Sequence, residues 1–193
     1  MRYSEVYKSW QDDPEGFWMD AARAIDWDVA PTRALTDTRA PFYAWFTDAR
    51  VNTCWNAVDR HVASGRADQA AIIYDSPVTG RKSKTSFAEL QVQTAALAGA
   101  LRDKGIVAGD RVIIYMPMVA EALVAMLACA RIGAVHSVVF GGFAAHELAV
   151  RIDDATPKAI IAASCGLEPN RVVAYKPLLD DAISQSVHKP DVT

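Results

Sequence analysis

The chain has 193 residues, of which 51% are hydrophobic and 22% charged, with a formal net charge of −3. This is material for one sizeable domain, or for one domain plus an appended segment, and an intrinsically disordered chain is not expected. Lys and Arg are scattered instead of gathered on one helix face, so nucleic acid is not expected as a partner.

Cys54, Cys129 and Cys165 are odd in number and far apart, which fits neither a disulfide framework nor paired metal ligands. A reducing, cytoplasmic compartment is expected. The start, MRYSEVYKSW, has no long apolar run behind its first basic residues and is not a secretory signal. The most apolar region, 112–130, is interrupted by Pro117 and Glu121, so a strand, a break and a buried helix explain it better than a membrane span.

All five tryptophans, Trp10, Trp18, Trp27, Trp45 and Trp55, fall in the first third, and the remainder is rich in Ala, Val and Ile. Asp13-Pro14-Glu15 is a helix start, with Asp as cap and Pro at the first helical position. The helix is expected over 14–25, with Phe17, Trp18, Ala21 and Ile25 on one face. Residues 26–39 read as irregular chain and 43–46 as a short strand. From Thr53 the pattern alternates: helix 53–63, strand 70–74, a turn at 76–80, and a returning hairpin arm at 81–85. Ser86 and Glu89 form a capping box that opens a helix to Lys104, stopped by Gly105 in the left-handed conformation. Strand 111–115, helix 118–132 ended by Gly133, strand 135–140, a Gly141-Gly142 turn, helix 145–153, strand 158–163 and a helix near 178–185 follow. Strands separated by such helices require crossovers, hence an α/β fold with a largely parallel sheet covered on both faces.

Few residues in this pattern point to chemistry. The strand-turn-helix at 138–147 either brings a ligand close to two glycines and the free N–H groups of a helix start, or merely bends the chain. Thr79-Gly80-Arg81-Lys82-Ser83 lacks the upstream glycine of a phosphate loop, and its basic residues read as solvated. The pairs Asp12-Asp13, Asp153-Asp154 and Asp180-Asp181 read as caps and exposed helix ends. His136 reads as a hydrogen-bonded structural histidine, and Cys129 as a buried thiol. Arg171, in the loop Glu168-Pro169-Asn170-Arg171 after a strand, either meets a phosphate as a fork or serves the surface.

The run YMPMVAEALVAMLACARIGAVHSVVFGGF, 115–143, closely resembles the acetyl-CoA and propionyl-CoA synthetases of the adenylate-forming superfamily. YKSWQDDPEGFW, AIDW and FYAWFTDARVNTCWNAVDRHV upstream are similar to that family's amino-terminal extension. RIDDATPKAII and YKPLLDDAISQ look like its propionyl branch. The resemblance covers the chain from about Tyr3 to the end. It implies an extension over 1–52 and the first part of an AMP-binding domain over 53–193, whose helices flank a largely parallel sheet. The activity implied is that of an AMP-forming acid–thiol ligase using ATP, Mg and CoA on a short carboxylic acid. No Gly/Ser/Thr-rich loop ending in Lys is found here, so the chain by itself is expected to be inactive.

By resemblance, Phe140, Gly141 and Gly142 line the nucleotide end of CoA, and Arg171 meets its phosphate. The sequence departs from the family at Glu168, where relatives carry Arg, and an acid there repels a phosphate unless the loop turns it away. The alternative reading is a non-catalytic CoA- or nucleotide-binding or interaction module. No membrane partner is expected, and oligomeric state is not readable.

Overall fold

The structure, a computed structural model, describes residues 2–193. It divides into two compact units, one ending at Asn56 and one running from Ala57 to Thr193.

The first unit opens with α1 (Tyr3–Asp12), which buries none of its residues. Tyr3, Tyr7 and Trp10 form an aromatic band along it, with ring centroids 6.1 Å and 5.6 Å apart. Asp13 then caps α2 (Pro14–Ala22) by accepting from the Gly16 amide at 2.9 Å. This helix stops a turn before the expected Ile25, and its expected apolar face is not a core face. Trp18 and Ile25 stay more than a third exposed, and Ala22 is the residue of α2 that is buried. The Glu15 carboxylate accepts from the amides of Ala34 and Leu35 at 2.5 Å and 3.4 Å, tying the irregular chain to α2. That anchor sets up a minimal antiparallel pair, β1 (Leu35–Thr36) with β2 (Ala44–Trp45), so residues 26–39 are less irregular than expected. Trp45 meets Trp18 edge to face at 5.3 Å. The tryptophans serve here as half-exposed packing shelves.

The expected helical stretch contains a π-helical turn, Trp55–Asp59, and then breaks within Val62–Arg66, where Gly65 takes φ +82°. Asp59 is 5% exposed and takes a forked pair of bonds from Arg131, at 2.6 Å and 2.7 Å, plus one from Gln91 Nε2 at 2.8 Å. The hairpin β3 (Ala70–Asp75) with β4 (Lys82–Ser86) follows, antiparallel. Ser86 and Glu89 form the capping box at the start of α3 (Phe87–Asp103). Gly105 has φ +81°, the conformation for which the stop signal needs glycine.

The central strand β5 (Arg111–Met116) is buried from Val112 to Tyr115. It leads to α4 (Ala120–Ile132), β6 (Val135–Phe140), α5 (Ala145–Ala155) and β7 (Ala159–Ala162). The three strands are parallel in the order β6-β5-β7. Successive strand residues point to opposite faces. Ile113 and Tyr115 accordingly pack in one core with Leu148 and Ile152 of α5, while Val112 packs in another with Ala98 of α3 and Ala128 of α4. The two crossovers therefore lie on opposite faces, as a common handedness demands when one runs outward from β5 and the next returns across it.

Beyond β7 the chain differs from expectation. Residues 168–171, expected as a loop, form the tip of a second antiparallel hairpin, β8 (Cys165–Glu168) with β9 (Arg171–Ala174). The last helix, α6 (Tyr175–Gln185), starts a turn earlier than expected and packs on α5. Asp153, expected as a solvated helix end, accepts from the amides of Val187 and His188 at 2.8 Å and 2.9 Å and so holds the tail. The tail then runs beside β7, where Val192 pairs in parallel with Ala159 and its carbonyl accepts from Ile160 N at 2.9 Å. Among the described residues no helix is long and apolar enough to cross a membrane.

Candidate functional site

Phe140 to Phe143 form the turn between β6 and α5, at the carboxyl end of the parallel strands. Ligands of open α/β sheets sit beyond that end. Neither Gly141 nor Gly142 has a positive φ, so any need for glycine there comes from crowding, which is severe at Gly141. A Cβ on Gly141 would lie 2.5 Å from Tyr175 Oη and 2.8 Å from two of its ring carbons. A Cβ on Gly166 of β8 would meet the same ring, 2.6 Å from Cζ. The Tyr175 ring, 6% exposed, is thus gripped between two bare backbones, and it joins the turn to the second hairpin. At Gly142 the neighbour is instead the Phe140 ring, at 2.7 Å.

The rest of the turn is held from beneath. Tyr115 Oη donates to the Phe143 carbonyl at 3.0 Å, and its ring lies 5.0 Å from that of Tyr175. Burial pushes the phenols of both Tyr115 and Tyr175 above their ordinary value, which keeps them neutral hydrogen-bonding groups. The Arg151 guanidinium covers the Phe143 ring at 4.2 Å. Phe140 meets Phe143 edge to face at 5.8 Å and remains 67% exposed. The start of α5 has Ala144 as N-cap and no side-chain cap on its first N–H groups.

Arg171 stands across the hairpin from Glu168. Its Nε donates to Glu168 Oε2 at 2.7 Å and a terminal nitrogen to Oε1 at 3.4 Å. The pair is exposed, and the hydrogen bond from Arg171 holds the Glu168 carboxyl below its ordinary value. The acid is therefore not turned away: it pairs with the guanidinium that the resemblance assigns to a phosphate. The tip lies two residues beyond Gly166, roughly 7 Å along the strand. Phe140, Gly141 and Gly142 are thus contiguous, and Arg171 is tied to them through Tyr175 and the hairpin.

Tyr175, Gly166 and Tyr115 were not singled out in the sequence. A tyrosine opening a helix, with a glycine nine residues earlier in an apolar stretch, was the available signal. His136 has no side-chain hydrogen bond in the structure, contrary to expectation, and lies half-buried in β6. The three cysteines are free thiols; burial pushes that of Cys129 up to about 11 and makes it a poor nucleophile. Among the described residues no group of three or more His, Cys, Asp or Glu is placed to hold a metal ion.

The turn thus combines an exposed aromatic ring with two glycines at a helix start that has no side-chain cap, while the Arg171 guanidinium at the hairpin tip is paired with Glu168. Residues 59–191 match the family of AMP-binding enzymes, and residues 3–57 match the acetyl-coenzyme A synthetase N-terminus. The chain belongs to the AMP-binding enzyme family. It is 50% identical over 179 residues to the human mitochondrial acyl-CoA synthetase short-chain family member 3, covering 93% of this chain and 26% of that protein. It is 46% identical over 190 residues to the propionate–CoA ligase of Escherichia coli, covering 98% and 30%. An uncharacterized protein of Pseudomonas aeruginosa is 52% identical over 190 residues, with the same coverage, 98% and 30%. The chain thus spans less than a third of the length of these relatives.

Proposed function

We propose that the chain is the amino-terminal part of an AMP-forming short-chain acyl-CoA synthetase, acting on propionate or a similar acid. The observation that carries this reading is similarity along practically the whole chain to a protein named propionate–CoA ligase. The reaction joins a carboxylate to ATP, releasing pyrophosphate, and then exchanges the AMP of the acyl-adenylate for the thiol of CoA. ATP and its Mg belong to chain outside these residues. Residues 1–52 serve as the extension and 53–193 as the opening of the AMP-binding domain. The free thiols support a cytoplasmic setting. The reading is tested on the full-length gene product by acid-dependent exchange of pyrophosphate into ATP with acetate, propionate and butyrate side by side. Propionate is expected to drive the fastest exchange; no stimulation by any of the three overturns the assignment.

Within this chain, Phe140 offers its face to the adenine of CoA, Gly141 and Gly142 keep the backbone low beside it, and Arg171 meets the phosphate. The salt bridge to Glu168 competes for that guanidinium, so the two residues have opposite effects. Arg171→Ala is expected to weaken CoA binding by about tenfold, and Glu168→Gln to strengthen it several-fold, in a calorimetric titration. Equal affinities across the three proteins remove Arg171 from the site.

A further inference from the structure

The amino-terminal unit holds a cleft of about 580 Å³ that the site described above does not use. Trp10 of α1, Trp18 of α2 and Trp45 of β2 line it, together with the acids Glu15 and Asp37. Local contacts gather these groups. Glu15 and Trp18 stand three residues apart on α2 and so share a face. Glu15 accepts from the amides of Ala34 and Leu35, and Leu35 is the register partner of Trp45, which brings β2 against that face. Trp45 and Trp18 then meet at 5.3 Å with their planes 77° apart, making a corner of two rings. Asp37 follows Leu35 by two residues, the strand repeat that returns a side chain to the same side.

The corner is open and carries one sign of charge. Trp10, Trp18 and Trp45 are 36%, 37% and 49% exposed, so their rings are not sealed in a core. Among the described residues that line the cleft there is no lysine or arginine, so nothing in its wall neutralises Glu15 or Asp37. Indole faces are themselves negative and attract cations more strongly than the other aromatic rings do. Both oxygens of Glu15 already accept a backbone amide, which leaves its charge in place while using part of its capacity to accept from a ligand.

These features discriminate between cations. A primary ammonium brings three strongly hydrated N–H donors, each of which needs an acceptor that a ring face does not supply well. A quaternary ammonium has no N–H to satisfy, and its methyl groups present both the charge and an apolar surface to the rings. We propose that this cleft binds a small quaternary ammonium compound of the choline class. Its methyl groups lie against Trp10, Trp18 and Trp45, and Glu15 and Asp37 balance its charge. The site uses no residue of the Phe140 turn and neither ATP nor CoA, so it stands apart from the ligase reading.

The 193-residue chain is titrated with choline chloride at constant ionic strength, followed by tryptophan fluorescence and by calorimetry. Saturable binding is expected. The neutral isostere 3,3-dimethylbutan-1-ol, with carbon in place of the quaternary nitrogen, is expected to bind about tenfold more weakly. Trp10→Leu is the variant least able to disturb the fold, because α1 buries none of its residues, and it is expected to raise the Kd for choline about fivefold. Asp37→Asn, at an exposed position, is expected to raise it roughly threefold, with the larger effect at low salt. Trp45→Phe is expected to retain more affinity than Trp45→Leu, since phenylalanine keeps a ring face. No saturable binding of choline, equal affinity for the neutral alcohol, or unchanged affinity in either Trp10→Leu or Asp37→Asn overturns the proposal.

Discussion

Replacing Asp59 with Ala is expected to lower the stability of the chain by about 3 kcal/mol, enough to move a urea midpoint by roughly 1.5 M at an ordinary denaturant slope. Asp59 is 5% exposed, and its carboxylate accepts two bonds from Arg131 and one from Gln91 among others. These bonds link the π-helical turn to α3 and α4, so one truncation loosens three elements. The cost comes from removing one half of a largely desolvated ion pair, because the remaining charge keeps its desolvation penalty and loses its forked acceptor. The double replacement Asp59→Leu with Arg131→Met removes both charges and is expected to recover most of the loss. A fall of under about 1 kcal/mol in the single variant would mean the pair contributes no more than an exposed one.

Gly141→Ala is expected to cost about 2–3 kcal/mol, whereas Gly142→Ala costs under about 1 kcal/mol. The added methyl at Gly141 strikes the Tyr175 ring, which is itself wedged against Gly166 and has no room to retreat. At Gly142 it meets the Phe140 ring, which is 67% exposed and can swing into water. Adding Tyr175→Phe to Gly141→Ala deletes the nearest atom and is expected to restore part of the stability, though the ring carbons at 2.8 Å still press. Thermal melts of the three variants beside the parent chain provide the comparison, and equal costs at the two glycines would remove Tyr175 as the cause. A drop in CoA affinity in Gly141→Ala therefore reports a disturbed fold as much as a lost ligand contact.

The alternating second unit was legible because its signals are local. The Ser86 and Glu89 capping box, the left-handed Gly105 and Gly133, and the apolar runs of β5 and β6 each specify an element without help from distant residues. What was not legible depends on partners far along the chain. The β8–β9 hairpin has only four residues in each arm, and Gly166 and Pro169 suggest coil until the Tyr175 ring appears against the glycine. The end of α2 similarly followed its partners. Trp27 Nε1 donates to the Ala22 carbonyl at 2.8 Å, which occupies the chain just where helical periodicity alone would have carried on to Ile25.

The candidate site shows the same division. Phe140, Gly141 and Gly142 stood out as a strand-turn-helix, but their environment could not be read, since Tyr115 and Tyr175 come from β5 and α6. At Arg171 the sequence exposed the conflict with Glu168 without its outcome. Pairing of the two across a tight hairpin follows from the antiparallel register, which places them directly opposite.

The two rims of the parallel sheet are unequal. Along β7, Val192 has already taken the first rung in parallel, leaving Ile160 O and Ala162 N as the next backbone groups on that side. Along the outer side of β6 no rung is occupied among the described residues, and Val135, Val138 and Phe140 are each more than half exposed, leaving orientation and register on that side to whatever arrives.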